Sequence, residues 1–247
     1  MLKRLMKLVL LSSMLINIFT QVCIAGPPFL TDDPQPVDFK HWEFYISSVN
    51  TRQQKDWSGT SPHIEVNYGI VPDVQIHLLL PVNYHYVQHE YTHFGYANTE
   101  FGIKYRFIQE SDDSPQIGTF PIIEISTINN SEFGNGYTQI YLPIWMQKSW
   151  GKYTTYGGAG YWINPGINNK NWIFAGWEVQ YDFSTMITLG GELYYHTADA
   201  NDSRSVTGFN MGGSINFSSK THFIFSLGRN VAHQNFFSSY IGMLWTI

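Results

Sequence analysis

The sequence predicts an all-β chain: an antiparallel transmembrane β-barrel of about twelve strands, preceded by a cleaved signal peptide. Three observations predict it. The first 25 residues have secretory-signal organisation. The whole chain is 17% aromatic and only 13% charged, yet beyond those residues it has no run of 18 apolar residues. Long segments also alternate apolar and polar residues with the period of two that sets side chains on opposite faces of a strand.

The leader comes first. Lys3, Arg4 and Lys7 precede an uncharged apolar stretch from Leu8 to Phe19, and Cys23-Ile24-Ala25 places small residues where a signal peptidase reads. Thr20, Gln21 and Val22 do not supply the context of a lipoprotein cysteine at Cys23. Cleavage after Ala25 leaves 222 of the 247 residues, with 11 Lys and Arg against 19 Asp and Glu, a net charge near −8. That balance argues against nucleic acid as a partner. The single cysteine leaves with the leader, so no disulfide framework exists.

Residues 26–39 form the next unit. Pro27, Pro28, Pro34 and Pro36, interspersed with Asp32, Asp33 and Asp38, make an extended segment that is a poor strand. Two placements stay open: a periplasmic leader to the barrel, or a plug tucked into its lumen with acids in reach of Lys104 or Arg106.

Residues 40–247 are the barrel. From Val74 to Tyr86 the even positions are Val, Ile, Leu, Leu, Val, Tyr and Tyr, and Gln75, His77, Asn83 and His85 lie between them. Thirteen residues exceed an ordinary globular strand of about 5–6 and suit a tilted membrane crossing. Ile64 to Ile70, Thr99 to Phe107, Ile173 to Tyr181 and Phe209 to Phe217 repeat the pattern. Strands are expected to start near residues 40, 61, 74, 97, 117, 137, 153, 172, 186, 206, 221 and 236. An even number returns both termini to the periplasm.

Connections alternate as well. Short turns fall at 71–73, 149–152, 184–185 and 218–220, with an eight-residue link at 109–116 on the same side. Longer polar loops are expected at 50–60, 87–96, 129–136, 163–171, 198–205 and 231–236. Short periplasmic turns with longer outer loops are the layout of outer-membrane barrels. Pro81, Pro121 and Pro143 fall inside proposed strands and imply bulges or breaks. Tyr141 and Trp145 fall on the polar side of theirs, which leaves its facing open. A water-exposed β-sandwich is the alternative architecture, disfavoured by strands this long with aromatics near both ends.

The final strand ends with the chain. Gly242 is followed by hydrophobics three and five positions later, Trp245 and Ile247, a terminal signature of the kind presented to the barrel-assembly machinery. Ile247 departs from the aromatic usual at that end.

On the polar parity lie Glu43, Glu65, Glu100, Glu124, Glu178 and Glu192, joined by Lys104 and Arg106. Facing lipid at midplane, a basic side chain costs about 2–4 kcal/mol and an acid somewhat less, so these residues are expected to line the lumen. An acid-lined lumen disfavours anions and admits cations or neutral solutes. The competing reading is a network of cross-strand pairs that fills a narrow barrel, because twelve strands lie between the filled eight-strand and the open 16–18-strand cases.

His89-Glu90-Tyr91-Thr92-His93 matches H-E-x-x-H, but that motif needs a helix and here lies in a loop between alternating strands. No nucleophile elbow, phosphate loop or Cys/His metal spacing appears, so no metal, cofactor or catalytic residue is assigned and no enzyme is expected.

Gly26-Pro27-Pro28-Phe29-Leu30-Thr31-Asp32-Asp33-Pro34, the run from Tyr156-Gly157-Gly158 to Asn164-Pro165-Gly166, Leu189-Gly190-Gly191-Glu192-Leu193, Thr207-Gly208-Phe209-Asn210 and Phe225-Ser226-Leu227-Gly228-Arg229 resemble one family. It comprises uncharacterised outer-membrane transporters similar to the phenol-degradation meta-pathway proteins. The resemblance spans nearly the whole chain after the leader. It implies a barrel in the Gram-negative outer membrane that takes up small, hydrophobic or aromatic solutes. It brings no catalytic or binding residues. A sealed adhesive barrel and, behind it, a lipid-modifying enzyme with a Ser–His pair on the barrel wall are the other readings.

Overall fold

The structure, a computed structural model, describes residues 26–88, 91–126, 133–134, 136–232 and 236–247. The expected signal peptide, residues 1–25, and the His89-Glu90 pair of the H-E-x-x-H match lie outside the described residues.

Fourteen strand segments close into one antiparallel barrel. They are β1 (Trp42–Gln53), β2 (Asp56–Val71), β3 (Val74–Tyr86), β4 (His93–Tyr96), β5 (Thr99–Ile108), β6 (Gln116–Thr119) and β7 (Ile122–Ile125). The second half is β8 (Gln139–Trp150), β9 (Tyr153–Ile163), β10 (Trp172–Asp182), β11 (Ile187–His196), β12 (Val206–Asn216), β13 (Thr221–Ala232) and β14 (Phe236–Thr246). β4 and β5 both pair with β3, and β6 and β7 both lie between β5 and β8, so each pair is one interrupted stave. The wall therefore has twelve staves.

The two interruptions have a common cause in proline. Pro121 separates β6 from β7, and Pro143 on β8 faces that gap, so neither is asked for a ladder hydrogen bond it cannot donate. The Thr119 hydroxyl donates to the Pro143 carbonyl at 2.6 Å and stitches the break. Pro81 stays within β3 opposite a bulge at residues 61–62 of β2 and beside the β4/β5 gap, where the Ala97 amide donates to its carbonyl.

Closure joins the first strand to the last. Ser47 pairs with Gly242 and Phe44 with Trp245, and Trp42 and Ile247 exchange two backbone hydrogen bonds of 2.9 Å. Gly242 faces inward, where a Cβ would meet that of Ser47 at 2.7 Å, while Trp245 and Ile247 share the outer parity. Both ends of the barrel wall thus lie at one rim, with the turns after β2, β8, β10 and β12. At the opposite rim, the expected loop at 50–60 is instead a continuous hairpin. Asn50 pairs with Gly59 and Arg52 with Trp57, and the turn needs only residues 54–55, with Gln54 at φ 57°. The polar residues there follow strand parity, so polarity alone misread them as loop. Part of the expected loop at 87–96 is likewise strand β4.

The outer surface carries the apolar parity. Ile46, Ile144, Val179 and Ile241 are about half exposed, at mid-height. Trp42, Trp150, Tyr153, Phe183 and Phe217 ring the terminal rim, and Tyr161, Tyr195 and Phe237 lie toward the other. This is an apolar band between aromatic girdles.

Candidate functional site: an acid-rich lumen crossed by the N-terminal segment

The inner parity is polar and also aromatic. Tyr141 and Trp145 point into the lumen, at 6% and 1% exposure, which resolves the facing of β8. They pack with Phe120, Phe174, Tyr194 and Val206, and a second cluster joins Tyr45, Ile224, Tyr240 and Leu244. Glycines on adjacent staves receive these rings. A Cβ on Gly160 would lie 2.2 Å from the Tyr141 ring, and one on Gly208 2.3 Å from the Tyr194 hydroxyl. The glycine–aromatic runs of the sequence are thus close-packing pairs across the wall.

Residues 26–39 lie inside the barrel. The segment enters at the terminal rim, where Phe39 bridges to Gly69 and the Val37 amide donates to Gln75 Oε1 at 2.8 Å. At mid-height the amides of Leu30 and Thr31 donate to the two Glu192 carboxylate oxygens at 2.9 and 2.8 Å, and the Ser226 hydroxyl donates to the Pro28 carbonyl at 2.6 Å. Gly176 leaves the room for Thr31, since a Cβ there would sit 2.1 Å from the Thr31 hydroxyl. Thr31 and Asp33 are fully buried. A segment rich in proline donates few backbone hydrogen bonds, so a small number of wall side chains can satisfy it.

The eight lumen positions separate by role. Lys104 is buried and pairs with Asp32 at 2.9 Å and Asp33 at 3.6 Å, its ammonium 5.0 Å from the Phe120 ring centroid. Arg106 is set nearer the rim. It donates to Asp73 Oδ1 from Nε at 2.9 Å and Nη2 at 2.6 Å, and from Nη1 to Gln35 at 2.7 Å and Gln116 at 3.0 Å. Glu65 accepts from Asn67 at 2.7 Å and lies 3.5 Å from His77. Glu43 accepts the Tyr45 hydroxyl at 2.9 Å, and Glu124 accepts from Asn98 at 2.8 Å. Glu100 lies 4.0 Å from His77 and pairs in register with Glu124. Glu178, fully buried, faces Glu192 across the β10–β11 register.

Sequence reasoning put His77 on the polar parity and left the facing of Tyr141 and Trp145 open, but it named neither His63 and His77 nor the inward Tyr45, Tyr194 and Tyr240 as lumen positions. Their signal was present, because Tyr45 lies two residues from Glu43 and His77 two from Gln75, on one parity. An aromatic identity hides an inward position when polarity is the only guide.

Between the segment and the wall lies a cavity of about 420 Å³, lined from Gly26 and Pro27 to Thr51, His196 and Phe236 toward the rim opposite the termini. Asp32, Glu43, Glu65 and Glu100 line it, with Lys104, His63, His77 and His196 as the basic groups among the described residues. Among the described residues no group of three acids, histidines or cysteines is arranged to hold a metal ion. Ser47 Oγ and His63 Nδ1 are 3.2 Å apart inside the lumen, a contact that follows from their direct pairing between β1 and β2.

The rim turn gives a pH test. The Arg106 guanidinium beside Asp73 holds that carboxyl below the usual carboxylate range. A depressed folded value means that the contribution is present at neutral pH and is lost as pH falls through it. Asp73→Asn keeps the left-handed φ of 65° that Asn tolerates. It is expected to lower stability at pH 7 by about 1 kcal/mol or less. The difference from the parent should vanish on acidification, read as melting temperature against pH. A gap that is constant down to strong acid argues against the ion pair.

No family model matches the chain, and no curated protein matches it. Solved structures do. The COG4313 outer membrane channel from Pseudomonas putida F1 superposes with a TM-score of 0.68 at 15% identity, covering 91% of this chain and all of that one. The NanC porin gives 0.59 at 8% identity, over 82% of this chain and 98% of that one. The KdgM porin, solved with disordered oligogalacturonate, gives 0.56 at 9%, over 81% and 98%. At such identities the likeness is one of fold, and the chain has the closed twelve-stave barrel fold found in outer membrane channels.

Proposed function

We propose that this chain is an outer-membrane channel for small solutes, passive in mechanism, whose lumen is narrowed by its own N-terminal segment. The observation that carries the proposal is the cavity of about 420 Å³ whose lining runs from residues 26–35 to Thr51, His196, Val206 and Phe236 toward one rim. The apolar belt and aromatic girdles support a seat in lipid of the Gram-negative outer membrane, reached by export behind a cleaved leader. The closing strand, with Gly242, Trp245 and Ile247, is the part offered to the barrel-assembly machinery. The acid-rich wall favours cations and neutral solutes over anions. The polyanionic oligogalacturonate bound by KdgM is therefore a poor fit here. The resemblance to phenol-degradation meta-pathway proteins supports hydrophobic or aromatic solutes as one class of cargo.

We read the chain as a conduit and not an enzyme. The Ser47–His63 contact is explained by register, so Ser47→Ala is expected to leave solute flux unchanged.

The test is reconstitution of the purified protein in planar bilayers and liposomes. A small conductance is expected, with a reversal potential of the cation-selective sign across a KCl gradient. Absence of both conductance and solute flux overturns the channel reading and favours a sealed surface barrel.

A further inference from the structure

We propose that the lumen cavity is a binding site for organic ammonium ions that carry an apolar, ring-sized body. The inference rests on the channel reading for the ligand's route to the site.

The charge balance of the cavity comes first. Lys104 is its one permanent cation, and Asp32 and Asp33 already hold it. Among the described residues of the cavity wall, Glu43, Glu65 and Glu100 then have only histidines, His63, His77 and His196, as further basic groups. Beside a protein wall such carboxylates attract a cation more strongly than they do in bulk solvent.

One buried polar atom on the same wall is open to a donor. His77 Nε2 has no hydrogen-bond partner among the described residues, its residue is 5% exposed, and the Glu100 carboxylate lies 4.0 Å from it. The His77 tautomer follows from its neighbours. Asn67 donates its amide to Glu65, which leaves Asn67 Oδ1 to face His77 Nδ1 at 2.8 Å, so in the neutral ring Nδ1 carries the proton. Nε2 is then an acceptor. An ammonium group offers donors for this nitrogen and for the Glu100 carboxylate beside it, whereas a carboxylate ligand offers none.

The remaining lining selects the body. Phe29, Tyr45, Leu79, Phe120, Tyr194 and Tyr240 present apolar and aromatic surface to the cavity. Its volume lies in the range of about 300–1,000 Å³ common for small-molecule sites. Aromatic faces also attract cations, as Lys104 above Phe120 already shows. A bare metal ion uses none of this apolar surface.

The experiment is calorimetric titration of the full chain in detergent at pH 7.5 with phenethylammonium, 2-phenylethanol and phenylacetate. Phenethylammonium is expected to bind about ten-fold more tightly than the alcohol, equivalent to about 1.4 kcal/mol, and phenylacetate more weakly than either. Glu43→Gln/Glu100→Gln is expected to remove that preference and leave the alcohol's affinity unchanged. Glu110→Gln, in the rim turn beside Lys148 and away from the cavity lining, is expected to change nothing and reports on folding of a Glu-substituted barrel. Equal binding of amine and alcohol, or an amine preference that survives the double substitution, overturns the proposal. Bilayer recordings on the same preparation separate the two readings. A conducting barrel without amine preference sinks this inference alone, and an amine-binding barrel without conductance keeps the site but sinks the channel.

Discussion

Excision of residues 27–36 is expected to raise single-channel conductance several-fold while the barrel stays closed. The wall is independent of the segment, since every stave has its ladder on both sides from other staves. What the segment supplies is occlusion. It crosses mid-lumen on Glu192, Ser226 and Lys104, and it lines the cavity. Its loss frees Lys104 and Glu192 to hydrate in a wider pore.

A milder variant separates seating from bulk. Lys104→Met leaves the fully buried Asp33 without its cation. Breaking a buried pair in this way costs about 3–5 kcal/mol, enough to shift the segment toward undocked states. An intermediate, fluctuating conductance is expected. Heat-modifiable mobility on electrophoresis checks that both variants fold. A folded excision variant with the parent's conductance shows that the segment does not limit flow.

The second large effect concerns the wall. Gly158→Val is expected to abolish the folded, heat-modifiable barrel or to lower its melting temperature steeply. A Cβ at Gly158 would lie 2.0 Å from the Ile144 carbonyl oxygen and 2.9 Å from the Trp145 ring. Trp145 is 1% exposed and fills the lumen, so it has no room to retreat. Ordinary overpacking costs about 1–3 kcal/mol, and here the obstacle is partner backbone, so β8 and β9 must part. Ala159→Val, one residue on and facing outward, is the matched control and is expected to be tolerated. Equal melting of the two variants rules out the close approach at Gly158.

Parity carried most of the reading from sequence. It placed Glu65, Glu178 and Glu192 inward and located ten of the twelve staves to within about three residues, because a side chain's face depends only on its position modulo two. It failed where polarity was taken for loop. Residues 50–60, polar apart from Trp57, form the end of a hairpin at the rim opposite the termini, and hydrogen bonding to the neighbour, not burial, keeps them in register. It also left β8 ambiguous, since Tyr141 and Trp145 are inward residues of outward character. Arg106 shows the finer limit: its parity is inward, yet its height at the rim sends it to Asp73 and Gln35.

By itself, then, the sequence determined the barrel, its alternating faces and the common rim of its ends, all consequences of local period and strand number. Only the tertiary structure decided that residues 26–39 occupy the lumen. Leu30 and Glu192 are 162 residues apart, and Asp32 and Lys104 are 72. Those contacts exist only once the wall has closed and brought distant staves around one space. No local pattern encodes which buried lysine a proline-rich segment will meet there.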